Sequence, residues 1–474
     1  MSTEIRTDST IYALSTPTGR GAVAIIRISG EKTAQALDII TKNKVPPPRQ
    51  AALRRLYNPQ NDGVVDEALV IFFKAPHSYS GEDMAELQVH GGAAVIEETL
   101  AVLSKIEGLA PAEAGAFTRR AVLNGRFDLT RAEAVADLID AETHAQKTQA
   151  LRQLRGELGA LYGGWRGRLE RALAHLEADI EFADEDLPGG IGRAVLSDVV
   201  ALESEIRTHL AEGRGRALRD GVEIAIIGAP NVGKSSLLNQ LAGREAAIVS
   251  ARAGTTRDII EVSMVIAGVP VVVADTAGLR AAGDEIEREG VRRATKRAAE
   301  ADMKLFVFAP QDAADSEKAA SLWFHQEDLS EIQPAAQDLV IYNKSDLGAF
   351  GEMDKAQLDA LETHGLAALS DAPLSVSAKT GDGMTALWAA LEAHVSEAFG
   401  LSDHPALTRQ RHQDALEAAL VALARALNVP EDAGVLELVA EDLRLAMREI
   451  GRITGAVDVE ALLDIVFRDF CIGK

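Results

Sequence analysis

Residues 222–239 read VEIAIIGAPNVGKSSLLN, an apolar run followed by a glycine-rich loop and a stretch with helical character. The loop fits the pattern G-x-x-x-x-G-K-[ST], in which glycines let backbone N–H groups curl around a phosphate and the next helix adds its dipole. Lys234 would reach the β- and γ-phosphates, and the Ser235 hydroxyl would ligate Mg²⁺. The stretch therefore predicts a nucleotide-binding α/β domain.

Three short motifs follow this loop in the order that a GTP-binding domain requires. Asp275-Thr276-Ala277-Gly278 resembles DxxG, in which the aspartate holds Mg²⁺ through water and the glycine N–H meets the γ-phosphate. Asn343-Lys344-Ser345-Asp346 resembles NKxD, and Ser377-Ala378-Lys379 resembles the SAK motif that donates backbone N–H to the guanine oxygen. The Asp346 carboxylate can accept hydrogen bonds from guanine N1–H and the 2-amino group. Adenine offers neither, so the pattern predicts GTP.

A switch region is expected between the loop and DxxG. Gly254-Thr255-Thr256-Arg257-Asp258 is typical of switch I, with Thr256 as the second Mg²⁺ ligand, folding over the γ-phosphate. Ras-like enzymes carry a water-orienting glutamine after DxxG, but Leu279 stands here and cannot polarise water. Asp284-Glu285-Ile286-Glu287 supplies candidate carboxylates, the alternative being a solvated helix surface. The nucleotide contacts expected from all these motifs are Asn231, Val232, Gly233, Lys234, Ser235, Ser236, Gly254, Thr255, Thr256, Asp275, Thr276, Ala277, Gly278, Asn343, Lys344, Asp346, Ser377, Ala378 and Lys379.

The spacing of apolar residues divides the chain into α+β, helical and α/β parts. Strand-like runs alternate with short helices over 1–124, which predicts a mixed α+β domain. Apolar residues every three or four positions from Leu151 to Ile180 predict one long helix, and another is expected over 194–218. Residues 220–383 alternate between strand and helix, as in a parallel or mixed sheet. The simplest architecture is a Ras-like α/β domain at 220–383, inserted into a helical bundle domain formed by 125–219 and 384–474.

The composition allows several hydrophobic cores and excludes two classes of protein. The 474 residues are 47% hydrophobic and 26% charged. A net charge of −23 excludes a protein that coats nucleic acid nonspecifically, because such binding requires local Lys and Arg. The longest apolar run, 262–274, is interrupted by Gly268 and Pro270 and is too short to span a membrane. The N-terminus lacks the apolar segment of a secretory signal, and the single cysteine, Cys471, fits a reducing compartment, so we expect a cytoplasmic protein.

The chain also resembles one family over nearly its full length. The motifs that carry the resemblance are TPTGRG at 16–21, IIRISG at 25–30, YSGED at 79–83, ELQVHGG at 86–92, NGRFDL at 124–129 and the terminal CIGK at 471–474. Together with the nucleotide motifs, they are similar to those of the MnmE (TrmE) tRNA-modification GTPases, which belong to the TrmE-Era-EngA-like P-loop GTPases. The resemblance implies an N-terminal folate-binding and dimerisation domain at 1–124, a central helical domain and an inserted G domain.

The resemblance further implies an activity, a partner and a folate site. Such proteins act with an FAD-containing partner, MnmG (GidA), in a heterotetramer, and FAD is bound by the partner only. They install a carboxymethylaminomethyl or aminomethyl group at carbon 5 of the wobble uridine of certain tRNAs, using 5,10-methylenetetrahydrofolate or 5-formyltetrahydrofolate. By position, the matching folate contacts are Arg27, Glu86, Arg126 and Lys474. Glu86 can pair with the pterin N–H edge and the cations with the glutamate tail, although spacing alone favours Arg27 as a strand residue that reaches solvent.

The same resemblance implies an answer to the missing glutamine. A monovalent cation between the phosphates can neutralise charge that develops during hydrolysis. Two G domains would then pair across their switch regions and place Glu287 to orient water, which implies a K⁺-dependent homodimer. The K⁺ ligands that the resemblance implies are Asn231, Ser250, Arg252 and Thr255, and the rest of that loop, Ala251 and Ala253, is expected to contact GTP.

Two other functions are compatible with the nucleotide motifs. A ribosome-assembly GTPase of the Era or EngA type would carry an RNA-binding module such as KH after the G domain, whereas this C-terminus is helical without an evident GxxG loop. A dimeric G-protein switch or scaffold without one-carbon chemistry would share the motifs but would not bind a reduced folate.

For the tRNA substrate that the family resemblance implies, local basic contacts are expected from Arg49, Arg54, Arg55, Arg119 and Arg120.

Overall fold

A computed structural model describes residues 9–181, 191–211, 214–228, 231–243, 261–275, 296–309, 335–347, 374–401, 405–428 and 436–457, with 462, 463, 466, 467, 470, 472 and 473. The chain forms two compact units. The first comprises Met1–Ile139, Arg152–Ile206 and Asp414–Lys474, and the second comprises Asp140–Leu151 and Arg207–Gln413.

The first unit begins with a six-stranded mixed sheet. Its elements are β1 (Thr10–Leu14), β2 (Val23–Ser29), α1 (Thr33–Thr41), β3 (Ala52–Tyr57), β4 (Val64–Phe73), β5 (Met84–His90), α2 (Ala93–Leu103), β6 (Leu109–Pro111) and α3 (Ala116–Leu123). The strand order is β3-β4-β5-β2-β1-β6, with only β1 and β6 parallel among these neighbouring pairs. Strand residues alternate between two faces, and one face, including Ile26 and Leu87, is buried with α1 and α2 in one core. The mixed α+β prediction for this region is confirmed.

The described helices between α3 and the second sheet are α4 (Leu129–Asp140), α5 (His144–Leu154), α6 (Glu157–Glu181), α7 (Ile191–Ala211) and α8 (Arg214–Asp220). The single helix expected from Leu151 to Ile180 is wrong, because α5 ends at Leu154 and α6 begins at Glu157. Gly156 between them has φ +93°, a left-handed conformation that favours glycine and interrupts a right-handed helix. The helix expected over 194–218 likewise corresponds to the two described helices α7 and α8.

The second unit contains a six-stranded sheet in the order β12-β11-β10-β7-β9-β8. Its elements are β7 (Val222–Ile227), α9 (Lys234–Ala242), β8 (Glu261–Ile266), β9 (Val269–Asp275), β10 (Met303–Phe308), β11 (Leu339–Tyr342), β12 (Leu374–Ser375) and α10 (Met384–Phe399). All neighbouring strands are parallel except β8 and β9. Ile224 and Ile226 face the core that holds α9 and α10, while Ala225 and Ile227 face the opposite core. Burial on both faces explains why these strands read as continuous apolar runs.

Among the described residues after α10, two further helices follow, α11 (Gln410–Leu427) and α12 (Leu436–Thr454). Within the first unit, α12 packs along α6, and the side chains of Leu169, Leu176, Leu443 and Ile450 are buried. The period of three to four residues that predicted these helices follows from this burial of one stripe. No helix in the described part of the chain is both long and apolar enough to cross a membrane.

Candidate functional site

The glycine-rich loop connects the end of β7 to the start of α9. Gly233 has φ +97°, and a β-carbon there would collide with Nδ2 of Asn343. Only glycine meets both demands. Lys234 is buried, and its Nζ donates a hydrogen bond to the Gly228 carbonyl oxygen at 2.7 Å, so the ammonium lies over the loop. Ser235 and Ser236 are exposed in the first turn of α9, at the end of the helix that attracts anions.

Asn343 joins the loop to the SAK segment. Its side chain is 2% exposed, and Nδ2 donates to the Val232 carbonyl oxygen at 2.9 Å. Its Oδ1 accepts a hydrogen bond from the Ala378 N–H at 3.0 Å. Because the amide is satisfied at both ends, it holds two segments together that lie more than a hundred residues apart in sequence. Three motifs predicted separately are therefore brought to one place.

The carboxylate of Asp346 is held in a fixed orientation beside these segments. The Ser377 hydroxyl donates to Asp346 Oδ1 at 2.7 Å and accepts a hydrogen bond from the Thr380 N–H at 3.1 Å. Asp346 is exposed and Ser377 is buried, so an oriented acceptor faces solvent. The motif residues follow β7, β11 and β12 at their carboxyl ends, and Asp275 is the last residue of β9. Ligands of open parallel sheets bind at this edge.

Several predicted residues lie outside the described part of the chain. They are Ser250, Ala251, Arg252, Ala253, Gly254, Thr255, Thr256, Thr276, Ala277, Gly278, Leu279, Glu287 and Lys474. Their proposed roles at the γ-phosphate, the cations and folate stay predictions.

A second polar site lies in the first unit, on the sheet face opposite α1 and α2. Arg27 of β2 and Glu86 of β5 are directly paired across the strands, and Arg27 Nη2 lies 3.0 Å from Glu86 Oε1. Their side chains are 19% and 17% exposed. The interpretation of Arg27 as a strand residue that reaches solvent is therefore wrong, because its head group is held by a carboxylate at the sheet surface.

Aromatic rings surround the Arg27 guanidinium. Its central carbon lies 5.3 Å from the centroid of Tyr79 and 5.6 Å from that of Phe117, within the range of cation–π attraction. The Tyr79 hydroxyl is 2.7 Å from Thr118 Oγ1, and burial raises the pKa of Tyr79. Arg27 Nε is buried and makes no hydrogen bond to any described atom. Sequence reasoning did not find this cage; its only signal was the presence of Tyr79 in the YSGED motif.

Ile472 and Gly473 contact other segments of the first unit. Ile472 forms a bridge with Ala114, and the Ser15 hydroxyl donates to the Gly473 carbonyl oxygen at 2.9 Å. Gly473 has φ +93°, and a β-carbon there would collide with the Leu14 carbonyl oxygen. These contacts bring the residue before Lys474 to the end of β1.

Two of the predicted basic residues have different roles in the structure. Arg126 is exposed, and its Cγ would lie 3.2 Å from a β-carbon at Gly81, so it stands beside the loop that carries Tyr79. Arg120 is not available as a tRNA contact, because its side chain is 12% exposed and Nη1 lies 2.8 Å from Glu82 Oε2. An arginine held in this way is an internal structural group.

Comparison with known proteins gives a consistent result over nearly the whole chain. Residues 10–126 match a family model described as the GTP-binding protein TrmE N-terminus, and residues 129–471 match the MnmE helical domain. The chain is 50% identical over 466 residues to the tRNA modification GTPase MnmE of Parvibaculum lavamentivorans, covering 98% of this chain and 100% of that protein. It is 50% identical over 468 residues to the protein of the same name from Paramagnetospirillum magneticum, covering 98% and 99%. The one from Rhodospirillum rubrum is 48% identical over 483 residues, covering 99% and 100%.

Proposed function

The chain belongs to the MnmE (TrmE) family of tRNA-modification GTPases, and on that premise we propose that it hydrolyses GTP to GDP and phosphate as an enzyme of tRNA modification. The observation that carries the nucleotide part is the two-sided contact of Asn343 with Val232 and Ala378. It joins the phosphate loop to the base-recognition segments, so one ligand can contact both. Lys234 would neutralise phosphate charge, and Ser235 would ligate Mg²⁺ together with Thr256.

Guanine recognition is proposed for Asp346, and one substitution tests it. Asp346→Asn replaces an acceptor by a group that also donates, so it faces the guanine N1–H with the wrong polarity. We expect GTP affinity to fall by about 100-fold or more, since the guanine N1–H would lose its acceptor in the bound state. Titration with a fluorescent guanine nucleotide measures it. Asp382→Asn, at an exposed residue that accepts a hydrogen bond from Thr380, is the matched control and should bind GTP normally. Equal affinity of the Asp346 variant and the wild type would contradict the assignment.

A folate site is proposed around Arg27, Glu86, Arg126 and Lys474. The ion pair of Arg27 and Glu86 supports it, because a pterin presents donors and acceptors that a carboxylate and a guanidinium can bind together. The buried Arg27 Nε is a donor that a ligand could satisfy. The Tyr79 ring is partly exposed, so a flat heterocycle could lie against it, whereas Phe117 is fully buried beneath Arg27. The ligand would be 5,10-methylenetetrahydrofolate or 5-formyltetrahydrofolate, and the one-carbon unit would pass to carbon 5 of the wobble uridine.

The assembly that this activity needs is also a proposal. We propose a homodimer that joins the FAD-containing partner MnmG (GidA) in a heterotetramer, with tRNA as the shared substrate and FAD on the partner. The G domain would be inserted into the helical domain, which would carry changes in nucleotide state to the rest of the complex. The product would be a carboxymethylaminomethyl or aminomethyl group on uridine.

Hydrolysis is proposed to depend on K⁺ held in part by Asn231. This residue has φ 66° in the loop, and the remaining ligands would be Ser250, Arg252 and Thr255. A cation placed between the phosphates can stabilise the negative charge that develops there during hydrolysis, a role that an arginine side chain has in other GTPases. We expect GTP turnover to be about tenfold or more faster in K⁺ than in Na⁺, and Asn231→Ala to remove most of that difference. An unchanged K⁺ to Na⁺ ratio of steady-state rates in the variant would exclude Asn231 as a K⁺ ligand.

Glu287 is proposed to orient the attacking water. Glu287→Ala should therefore lower GTP turnover and leave GTP affinity nearly intact.

A further inference from the structure

A group of buried polar side chains lies behind the loop formed by residues 78–83. Ser29 and Ser80 are fully buried, and their hydroxyl oxygens are 2.6 Å apart. The Ser29 hydroxyl donates to Glu82 Oε2 at 2.8 Å. Arg120 Nη1 donates to the same carboxylate oxygen, also at 2.8 Å. The loop is thus attached from behind to the end of β2 and to α3.

Arg120 connects three separate segments. Besides Glu82, its Nη1 donates to the Ser29 carbonyl oxygen at 3.3 Å and its Nη2 to the Ser9 carbonyl oxygen at 2.6 Å. A guanidinium presents its donors in a rigid planar fork, so this set of acceptors fixes the separation of all three segments. A lysine at the same position could satisfy fewer of these acceptors.

The front of the same loop carries groups of the proposed folate site. Tyr79 lies against the Arg27 guanidinium and contacts Phe127 edge to face at a centroid distance of 5.4 Å. Gly81 has φ +84° and lies beside the Arg126 side chain. Asn124, two residues before Arg126, donates through Nδ2 to the Ser80 carbonyl oxygen at 2.8 Å. The position of both Tyr79 and Arg126 therefore depends on how the loop is held.

The half-buried ion pair of Glu82 and Arg120 needs an explanation beyond stability. Removing charges from water costs free energy that apolar packing of the same volume would not cost. A fully satisfied polar network, however, allows only one arrangement of its members. Glu82 and Arg120 are half-buried, with 24% and 12% of their side chains exposed, and the hydrogen bonds of Ser29 and Arg120 to Glu82 Oε2 restrict the arrangement of the loop. Neither contacts Arg27 or Glu86 in the hydrogen bonds described, so their effect on the site passes through the loop.

We propose that Glu82 and Arg120 are positioning residues that set the affinity of the chain for reduced folate by holding the 78–83 loop in place. The proposal rests on the folate site proposed above. The pair orders Tyr79 and Arg126 before the ligand arrives, so less ordering is needed on binding. Loss of the pair should therefore weaken folate binding and raise the Michaelis constant for folate, and it should leave GTP turnover unchanged.

The test measures binding of 5-formyltetrahydrofolate to the full-length chain by equilibrium dialysis. The variants are Glu82→Gln, Arg120→Gln, Arg120→Lys and the double variant Glu82→Gln with Arg120→Gln. Each single Gln variant should weaken binding by about 10- to 100-fold, because small misplacements of site groups have effects of this size. Arg120→Lys should recover part of the loss. The double variant should lose less than the product of the two single losses, because the residues act as a pair.

Matched controls come from an exposed ion pair in the same unit, Lys42 Nζ with Asp62 Oδ1 at 2.6 Å. Asp62→Asn and Lys42→Gln make the corresponding charge changes and should retain wild-type folate affinity. Steady-state GTP turnover and the unfolding temperature are measured for every variant. Wild-type folate affinity in Arg120→Gln would overturn the proposal. So would a loss of affinity no greater than the accompanying loss of turnover, or an equal loss in the controls.

Failure of the wild-type chain to bind the folate would contradict the proposed folate function instead. The positioning role is then decided without a ligand by amide hydrogen exchange of peptides that cover 78–83. The Glu82 N–H donates to Ser80 Oγ at 3.3 Å and reports on the loop. Faster exchange there in Arg120→Gln, but not in Lys42→Gln, supports the role. Unchanged exchange overturns it.

Discussion

Gly233 shows how a single residue type can be required by two independent demands. The left-handed backbone at φ +97° disfavours any side chain, and the Asn343 amide occupies the place where a β-carbon would lie. The motif predicted the glycine for its backbone freedom and its approach to phosphate. It did not predict the second demand, because that depends on a residue 110 positions away whose side chain turns back to the Val232 carbonyl.

Gly233→Ala separates these demands when it is compared with Gly268→Ala. Gly268 also has positive φ, +80°, but a β-carbon there meets nothing within 4 Å. We expect Gly233→Ala to reduce GTP affinity by about 100-fold or more through loss of the Asn343 contact, and Gly268→Ala only to lower stability by about 1 kcal/mol from backbone strain. Nucleotide titration and thermal unfolding of both variants measure this. Similar nucleotide affinities in the two variants would contradict the account.

Arg27 marks a limit of local sequence reasoning. Its place in an apolar strand favoured a side chain that reaches solvent, and only the family resemblance suggested a ligand contact. Pairing with Glu86 arises from the register of β2 against β5, and the aromatic neighbours come from the 78–83 loop and α3. None of these partners is near in sequence, so spacing could not have revealed them.

At the scale of elements, the strands were predicted more accurately than the helix ends. The runs at 222–227, 262–266, 269–274 and 304–308 all lie within observed strands. Burial on both faces makes β7 and β10 largely apolar, whereas the edge strand β8 is fully buried only at Met264 and Ile266. The stripe from Leu151 to Ile180 contains two helices, since the apolar period continues across the turn at Gly156. Periodicity detects a buried face and is insensitive to a single left-handed residue.

The amino ends of β10 and β11 in the second unit carry two carboxylates away from the nucleotide motifs, the half-buried Asp302 and the buried Asp338. Asp338 is 2% exposed; its Oδ1 accepts a hydrogen bond from the Lys304 N–H at 2.7 Å, and its Oδ2 accepts one from the Ala335 N–H at 2.8 Å. Burial raises the pKa of Asp338 despite these bonds, and burial also raises the pKa of Asp302. Burial removes both carboxyl groups from water and therefore disfavours their ionised forms.

The pH dependence of stability follows from the sign of this shift. The folded Asp338 carboxyl binds its proton more tightly than the unfolded one, whose pKa is about 3.9. Its contribution to the free energy of unfolding is therefore greatest below that value and decreases as pH rises through the higher folded pKa. Asp338→Asn lacks this titration. We expect the difference in urea midpoint, wild type minus variant, to decrease from about pH 4 to about pH 7. A difference that stays constant or increases with pH would contradict the raised pKa, and Asp382→Asn is an exposed control.

For the whole molecule, the order of structural types was predictable, but the domain boundaries stay a prediction. The expected boundary at 383 assigns α10 to the helical domain. Leu387, Trp388, Leu391 and Val395 of α10 are buried in the same core as β7 and β9 of the second unit. This packing favours a boundary after Phe399. An apolar helical stripe predicts that a helix is buried but does not identify the surface that covers it.

Three of the nucleotide motifs, the glycine-rich loop, NKxD and SAK, meet at one edge of the sheet as expected, because each is short and follows a strand end, whereas the nucleotide contacts themselves stay a prediction. The second site depended on resemblance, since its residues come from β2, β5, the 78–83 loop and the chain end. The polar network behind that loop was not predictable, and Arg120 was expected on the surface. Its burial results from acceptors on three segments, two of which are backbone carbonyls that no side-chain pattern encodes.

We propose that GTP hydrolysis by this chain serves modification of the wobble uridine. The most direct test is mass spectrometry of wobble nucleosides in tRNA from cells that lack the chain, and from the same cells supplied with the wild type, Asp346→Asn or Asp382→Asn. We predict that the 5-substituted uridine is absent without the chain, returns with the wild type and Asp382→Asn, and does not return with Asp346→Asn at equal protein level. Full modification in cells that lack the chain, or full restoration by a variant shown not to bind GTP, would contradict the account.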